Sequence, residues 1–372
     1  TLSLIHQRPF FIGLTAFLGV LYLILRLGEA HKRRYIIGAG ILFGLMPLMH
    51  THSFVAAAIM IFAAILISII HHRPALVKTL LIVALIGAVV ALPQLYFLIG
   101  QKISSNAGGF IHFRLGWMVQ PTIGSVQFPA HATPSVFTVT YLKFLWLNFG
   151  IILPLFLILS IYTFVSKRFS QDKHVLITRF FALAGLLLFF IVQFVQFQPW
   201  DYDSNKILIY YQLFASAVIL LGISSLIEKR RVVGSVALVV FLILSLTSGI
   251  IDTIPRINAE RNMLPRIFGK QALDLAMYVR TNIPKKDLIV TGTTHLNPVD
   301  SLAGRPVLVG YPGWLWTRGL DYSKREKLIE DFYSHPSRDH ELKRLYPIKY
   351  VLVDAHVMEK YGAAPDSFDT IF

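Results

Sequence analysis

The chain has 372 residues, 55% of them apolar, and a mean hydropathy of +0.61. This composition excludes an ordinary soluble domain and indicates an integral membrane protein over most of the length. The net charge of +15 does not imply a nucleic-acid partner, because residues 1–251 hold 18 basic and five acidic residues, whereas residues 252–372 hold 17 and 15.

The chain begins at Thr1 without an initiator Met and ends at Phe372 within a strand-like run, so we expect a fragment at both ends. It contains no Cys, which excludes disulfides and thiolate catalysis. Neither a GxGxxG nor a GxxxxGK[ST] nucleotide-binding loop is present, and the GxSxG motif of serine hydrolases is also missing.

Residues 1–251 are predicted to form a polytopic α-helical membrane bundle with eight spans. In chain order these are Phe10–Leu27, Tyr35–Met49, Phe54–Ile70, Thr79–Ile99, Phe144–Val165, Phe180–Phe197, Ile207–Ile227 and Val232–Ile251. The second span would measure only roughly 22 Å at about 1.5 Å per residue. The turn that follows it is therefore expected to be sunk into the protein.

Basic residues follow the first, third, fifth and seventh spans, which places them on one side of the membrane. They are Lys32 to Arg34, Arg73 and Lys78, Lys167 to Arg179, and Lys229 to Arg231. The positive-inside rule assigns that side to the cytoplasm of a plasma membrane. The other turns, the loop 100–143 and residues 252–372 are then expected to be extracytoplasmic.

The turn between the sixth and seventh spans is the first candidate site. Residues 200–206 have the sequence WDYDSNK and contain Asp201 and Asp203, two of the five acidic residues before position 252. A carboxylate at membrane depth is costly unless it is paired, hydrated or bound, so a functional role is the default hypothesis. The alternative is a structural turn in which Asp203 or Asn205 caps the next helix.

Two further outward segments carry candidate residues. The turn His50-Thr51-His52-Ser53 follows the second span, and Ser53 is predicted to be the N-cap of the third. Its two His either contact a substrate or phosphate, complete a structural turn, or bind a metal, although no HExxH-type ligand set accompanies them. In the long aromatic loop 100–143, Arg114 and His112 either bind a phosphate or lie among the lipid headgroups.

Residues 252–372 are predicted to form a small α/β domain. Helices are expected at Gly269–Thr281, Asn297–Ala303, Ser323–Ser334 and His340–Leu345, with strands at Asp287–Thr291, Pro306–Gly310 and Lys349–Asp354. Loops at strand ends are usual ligand contacts, and here they contain His295 and Arg305.

An aromatic cluster follows the second predicted strand of this domain. It comprises Tyr311, Trp314 and Trp316, with Arg318 beside them. These residues either stack on a sugar ring or dock the domain onto the bilayer or the membrane bundle.

The chain resembles the C-terminal two-thirds of a GT-C-type membrane glycosyltransferase of a poorly characterised prokaryotic branch. The resemblance covers nearly the whole chain and is carried by the short second span with its His turn, the WDYDSNK turn, and the motifs TGTTHLNPVDSLAGRP and GYPGWLW. It implies transfer of a sugar from a polyprenyl-phosphate-linked donor to a glycan or protein acceptor at the outer face. In that family the catalytic acid lies in the first outward loop, so it is expected upstream of this chain.

The resemblance also implies inversion by direct displacement, in which a carboxylate accepts the acceptor's proton and cations stabilise the leaving polyprenyl phosphate. Asp201 and Asp203 are the candidates for positioning the acceptor or a divalent cation, which is the single candidate cofactor. Lys206, Arg114 and Arg305 are the candidates for the phosphate. The other candidate substrate contacts are His50, His52, Trp200, His295, Trp314, Trp316 and Arg318.

Two other classes of function stay open. A transporter needs polar residues in several spans, and apart from Asn148, Gln193 and Gln196 the spans are nearly bare. A non-catalytic membrane scaffold would bind envelope partners through its outer domain. The clustering of polar groups at one face of the bundle argues against a scaffold.

Overall fold

The structure is a computed structural model that describes residues 8–29, 32–100, 112–113, 139–166, 173–197, 206–262, 267–317, 320–336 and 341–368. It is mostly helical and contains a small C-terminal region with two parallel strands. Two compact units are present: a membrane unit within residues 1–95 and 109–258, and a C-terminal unit within residues 96–108 and 259–372. The predicted domain boundary at 251/252 lies inside a helix that continues to Asn262.

Long apolar helices dominate the first 262 residues. They are α1 (Arg8–Glu29), α2 (Arg33–Met49), α3 (Thr51–Ile70), α4 (Pro74–Gly100), α5 (Val139–Phe149), α6 (Ile152–Val165), α7 (Lys173–Phe194), α8 (Ile207–Lys229) and α9 (Arg231–Asn262). Two short strands, β1 (His112–Phe113) and β2 (Val195–Gln196), pair with each other in antiparallel orientation.

Six of the described helices are long and apolar enough to cross a membrane: α1, α3, α4, α7, α8 and α9. The α5 and α6 pair makes a seventh span if it is counted as one. These helices indicate a multi-pass membrane protein. The prediction of eight spans differs because α2, with 17 residues, measures only about 26 Å and falls short of a bilayer core of about 30 Å.

Two predicted spans also differ in their course. The fifth is broken, since α5 and α6 meet at 91°. Gly150 lies at this junction with φ +52°, a left-handed conformation that favours glycine. The sixth ends at Phe194 instead of Phe197, because the next two residues leave the helix to form β2.

The core of the membrane unit lies where α7 packs against α3 and α8, and where α1 packs against α2 and α3. Phe17, Met60, Phe156 and Phe214 are fully buried there. Small residues set the approach of α2 to α4, since a Cβ added at Gly40 would lie 2.7 Å from Ile86 Cβ. Such small-residue contacts are typical of helix packing in membranes.

The C-terminal unit alternates helices with strands. It contains α10 (Lys270–Asn282), β3 (Leu288–Val290), α11 (Pro298–Ser301), α12 (Pro312–Thr317), α13 (Ser323–Ser334), α14 (Glu341–Leu345), β4 (Ile348–Val351), α15 (Ala355–Tyr361) and a 3₁₀ turn (Pro365–Ser367). β3 and β4 pair in parallel, with Ile289 opposite Tyr350. The predicted strand 306–310 contributes only a single bridge, between Val307 and Ile289.

A buried tyrosine joins the ends of the two parallel strands. The Tyr333 hydroxyl, on α13, lies 3.1 Å from the carbonyl oxygen of Val290 and 2.7 Å from that of Leu352. Burial, followed by the nearby Asp354 carboxylate, raises the pKa of Tyr333 well above its ordinary value, so the hydroxyl stays a donor. It therefore holds α13 against the carboxyl edge of the β3–β4 pair.

Candidate functional site

The connection between α2 and α3 is built around His50. This residue occupies the N-cap position of α3, and its Nδ1 accepts a hydrogen bond of 3.2 Å from the Ser53 amide. The same ring nitrogen lies 2.7 Å from Ser53 Oγ. His50, and not the predicted Ser53, is thus the capping residue, and the Ser53 hydroxyl is left to contact another element.

That other element is the first turn of α8. The Ser53 and Tyr210 hydroxyls are hydrogen-bonded to each other, and both residues are fully buried. Tyr210 lies four residues after Lys206, where the WDYDSNK turn ends. The contact therefore brings the His50 turn close to the start of α8, directly after the WDYDSNK turn in sequence.

Aromatic rings of α1 enclose this hydrogen-bonded chain. The Phe10 ring lies 5.6 Å from the His50 ring, and the Phe17 ring lies 4.5 Å from that of Tyr210, between centroids. Gly13 lies between them on α1, and a Cβ added there would come within 2.5 Å of His50 Cβ and overlap Ser53 Oγ. The chain of polar groups consequently depends on a close approach of α1.

Residues 112 and 113 reach the same end of the bundle. His112 pairs with Gln196 and Phe113 with Val195, and the Phe113 ring stacks on Phe194 with centroids 6.1 Å apart. This antiparallel pair ties residues 112 and 113 to the end of α7, directly before the WDYDSNK segment in sequence. At the same end, the buried Gln193 Oε1 accepts a hydrogen bond from the hydroxyl of Tyr141 on α5.

The described residues thus assemble an end of the bundle that we call the polar end: the His50 turn, the β1–β2 pair and the start of α8. Lys206 is half-buried there and holds the N-cap position of α8, which the structural-turn alternative gave to Asp203 or Asn205. Trp200, Asp201 and Asp203 lie outside the described residues, as does Arg114. The elements next to them in sequence do converge.

The opposite end of the bundle carries the basic connections. Glu29, at the end of α1, accepts bonds of 2.6 Å from both Arg26 and Lys173. Arg179 on α7 donates to Thr163 O at 3.1 Å and lies 3.2 Å from His71 Nε2. Burial, then the neighbouring Arg179 and Arg73, lowers the pKa of His71 below its usual 6.5, so the neutral ring accepts from Arg179.

In the C-terminal unit a second candidate site lies beyond the carboxyl ends of β3 and β4, the usual ligand position in parallel sheets. A crevice of about 570 Å³ is lined there by Leu296, Tyr350, Asp354 and His356, among others. His356 approaches the backbone closely, since a Cβ added at Gly292 would lie 3.2 Å from its ring.

A polar cluster follows β3 in the same unit. Thr293 Oγ1 lies 3.1 Å from Lys360 Nζ and donates to Glu326 at 3.3 Å. Asp354, His356, Glu326 and Lys360 are not among the candidates that the sequence patterns indicate. For Asp354 and His356 the available signal was the D-A-H sequence at the end of the last predicted strand.

The predicted aromatic cluster is present in part, and it includes His295. Ring centroids lie 4.9 Å apart for His295 and Tyr311, 5.2 Å for His295 and Trp314, and 5.8 Å for Tyr311 and Trp314. Trp314 is half exposed, which suits a stacking surface. Trp316 lies on α12, but its side chain is outside the described part of the structure, and Arg318 is wholly outside it.

Arg305, which the sequence predicts as a phosphate contact, is held by backbone carbonyl groups of the C-terminal unit. It is buried, and its guanidinium donates to the carbonyl oxygens of Ile283 at 2.9 Å, Ala303 at 3.1 Å and Arg280 at 2.6 Å. The bonds to Arg280 and Ile283 satisfy carbonyl groups at the end of α10, which have no partner within the helix.

Within the described residues, no three His, Cys, Asp or Glu side chains are grouped to hold a metal ion. Comparisons with protein-family models, with curated protein sequences and with solved structures found no match.

Proposed function

We propose that this protein is a membrane glycosyltransferase that moves a sugar from a polyprenyl-phosphate-linked donor to a glycan or protein acceptor. The observation that carries the proposal is the convergence at the polar end. The Ser53–Tyr210 bond and the β1–β2 pair bring together the chain segments on which most of the predicted membrane-unit contacts lie. An enzyme that uses a lipid-linked donor needs its polar groups assembled at one membrane surface.

The basic end supports an orientation for the proposal. Lys173 and Arg179 contact the ends of α1 and α3, so the basic residues of three connections gather at the end opposite the polar turns. By the positive-inside rule this end faces the cytoplasm and the polar end faces outward. Cys labelling from outside intact cells should then reach position 105 or 337 after replacement of the serine, but not position 170. Labelling of position 170 alone would contradict the orientation.

The proposed reaction is a direct displacement. The acceptor oxygen forms a bond to the anomeric carbon while the bond from that carbon to the phosphate oxygen breaks. The electron pair leaves with the polyprenyl phosphate, and a carboxylate takes the acceptor's proton. Asp201 and Asp203 are the proposed groups for the acceptor or a divalent cation, and Lys206, Arg114 and His52 for the phosphate.

In the C-terminal unit, His295, Tyr311 and Trp314 are the proposed contacts for a sugar ring. Apolar ring faces pack on aromatic side chains, and the half-exposed Trp314 offers such a face. The alternative role for these residues is to dock the unit on the bilayer.

The test of the proposal is transfer from a panel of labelled polyprenyl-phosphate sugars by membranes that contain the full-length protein. Asp201→Asn and Asp203→Asn keep the capping ability of the side chain and remove its charge. At least one of them is expected to lower transfer by about a hundredfold, the scale of general acid and base contributions, with an unchanged melting temperature. Full activity in both variants would remove this turn from the active site, and no transfer by the wild type from any donor would favour the scaffold.

A further inference from the structure

A groove of about 700 Å³ lies on the membrane unit at its basic end, where α3 passes into α4. One wall is apolar and is formed by Ile69, Val77, Leu81, Ile82 and Leu85. Leu81 and Leu85 are mostly exposed, on a helix that is long enough to cross a membrane. The wall therefore faces hydrocarbon and is concave.

The end of the groove nearest the α3–α4 turn is basic. His72, Arg73 and Lys78 line it, and none of the described residues that line the groove is acidic. Within the described chain, neither Arg73 nor Lys78 forms an ion pair. Arg73 also borders a second, narrower cleft beside Lys173, so its guanidinium lies where two apolar clefts meet.

The spacing of these groups matches the dimensions of a lipid. Lys78, Leu81, Ile82 and Leu85 follow one face of α4, because they recur at three- and four-residue intervals. Lys78 and Leu85 are seven residues apart, which is about 10 Å along the helix. A phosphate beside Lys78 would thus have the first part of its acyl chain beside Leu81 and Leu85.

We propose that this groove binds an anionic phospholipid of the surrounding bilayer, with its phosphate between Arg73 and Lys78 and one acyl chain along Leu81 and Leu85. Arg73 and Lys78 are both cationic, and no described residue that lines the groove is acidic. The groove therefore favours a lipid with net negative charge over a zwitterionic one. The apolar wall then distinguishes a lipid from a soluble anion. The site is at the opposite end of the bundle from the proposed transfer site and does not depend on glycosyl transfer.

The test uses the full chain in detergent and native mass spectrometry with added dioleoyl phosphatidylglycerol or dioleoyl phosphatidylcholine. Arg73→Gln with Lys78→Gln is expected to weaken phosphatidylglycerol binding by on the order of 30-fold, from the contribution of two basic residues near an anionic headgroup. The matched control, Lys229→Gln with Arg230→Gln, removes the same charge from the connection after α8. It is expected to stay within about threefold of the wild type, since only general attraction is lost. An equal loss in both variants would overturn the proposal.

Two further measurements keep the result decisive. Dihexanoyl phosphatidylglycerol and inorganic phosphate carry the charge without long chains, and both are expected to bind far more weakly than the dioleoyl lipid. Binding of inorganic phosphate at equal strength would assign the groove to a soluble anion, and tighter binding of a polyprenyl phosphate would assign it to the donor. If the double variant fails to fold by gel filtration, Lys78→Gln alone is expected to lower affinity about fivefold. An unchanged affinity in that variant would also overturn the proposal.

Discussion

The hydroxyl groups of Ser53 and Tyr210 share a hydrogen bond although 157 residues separate them in the chain. Ser53 also contacts His50 Nδ1 at 2.7 Å, so side chains from the α2–α3 turn, α3 and α8 form one hydrogen-bonded chain. A buried hydroxyl group without a partner costs free energy there, because the hydrocarbon of the bilayer offers no hydrogen bonds. The position of the His50 turn is therefore tied to the first turn of α8.

Tyr210→Phe removes this link and tests it directly. We expect the free energy of unfolding to fall by about 0.6 kcal/mol and at most about 1.7 kcal/mol, the range for hydrogen bonds within membrane proteins. Sugar transfer should fall further, by about tenfold to a hundredfold, because misplacement of a site by about 1 Å has effects of that size. Melting temperature and transfer rate are the two measurements.

The neighbouring Tyr211 provides the control. It is as deeply buried, between the rings of Phe149, Phe156 and Phe189, but its hydroxyl has no hydrogen-bond partner in the described chain. Tyr211→Phe is thus expected to be neutral or to stabilise the protein by about 1 kcal/mol. Equal losses of stability in the two variants would show that packing, and not the link to Ser53, matters at both positions.

Gly13→Ala is expected to separate α1 from the His50 turn. The added Cβ would lie 2.5 Å from His50 Cβ, so the turn or the helix must move. We expect a loss of about 1–3 kcal/mol in stability, as for overpacked cores, together with reduced transfer. Gly28→Ala on the same helix meets no atom within 4 Å, and it should be neutral or stabilising by about 0.5–1 kcal/mol. The idea fails if the two substitutions have the same effect.

Stability should depend on pH through His71. Its pKa is lowered in the folded protein, so near pH 6 the unfolded chain binds more protons than the folded one. The contribution is fully present above the ordinary pKa of 6.5 and is lost as the pH falls through the lowered folded value. The melting temperature of the wild type is therefore expected to fall as the pH drops below 6.5. His71→Gln keeps an acceptor for Arg179 but cannot titrate, so its melting temperature should fall less steeply with decreasing pH. Parallel melting curves for the variant and the wild type across this pH range would contradict the assignment to His71.

Arg305→Lys should destabilise the C-terminal unit. A lysine keeps the charge but cannot reach the three carbonyl groups of Arg280, Ile283 and Ala303 with a planar fork. We expect a loss of about 1.5–3 kcal/mol, the scale of hydrogen bonds to charged groups. Hydrogen exchange at the end of α10 should accelerate in this variant. Arg325→Lys, at an exposed position of α13, is the control and should change neither measurement.

Apolar runs predicted the membrane helices well, because a long apolar segment in a bilayer can hydrogen-bond its backbone groups in few ways other than as a helix. The sequence also predicted α10, α13 and β3 to within a residue or two at each end. The break at Gly150 was missed because periodicity treats an apolar run as continuous. β1 and β2 were missed for a different reason: strands of two residues exist only through their pairing, which sequence patterns do not contain.

The contacts of the candidate residues also depend on tertiary packing, which sequence patterns do not contain. The sequence singled out His50 from its place after a short span, but not its connection to Tyr210, because that contact depends on the packing of α3 against α8. Arg305 was predicted to contact a ligand because it lies in a loop at the end of a predicted strand. Only the fold shows that its guanidinium points back to the end of α10.

The pairing of β1 with β2 has a consequence for how the protein is made. β1 leaves the ribosome long before β2, and α5, α6 and α7 must be synthesised in between. β1 therefore lacks its partner strand while the middle helices enter the bilayer. Completion of the polar end is therefore a late event in membrane insertion, and truncation before β2 would release a chain in which β1 has no strand to pair with.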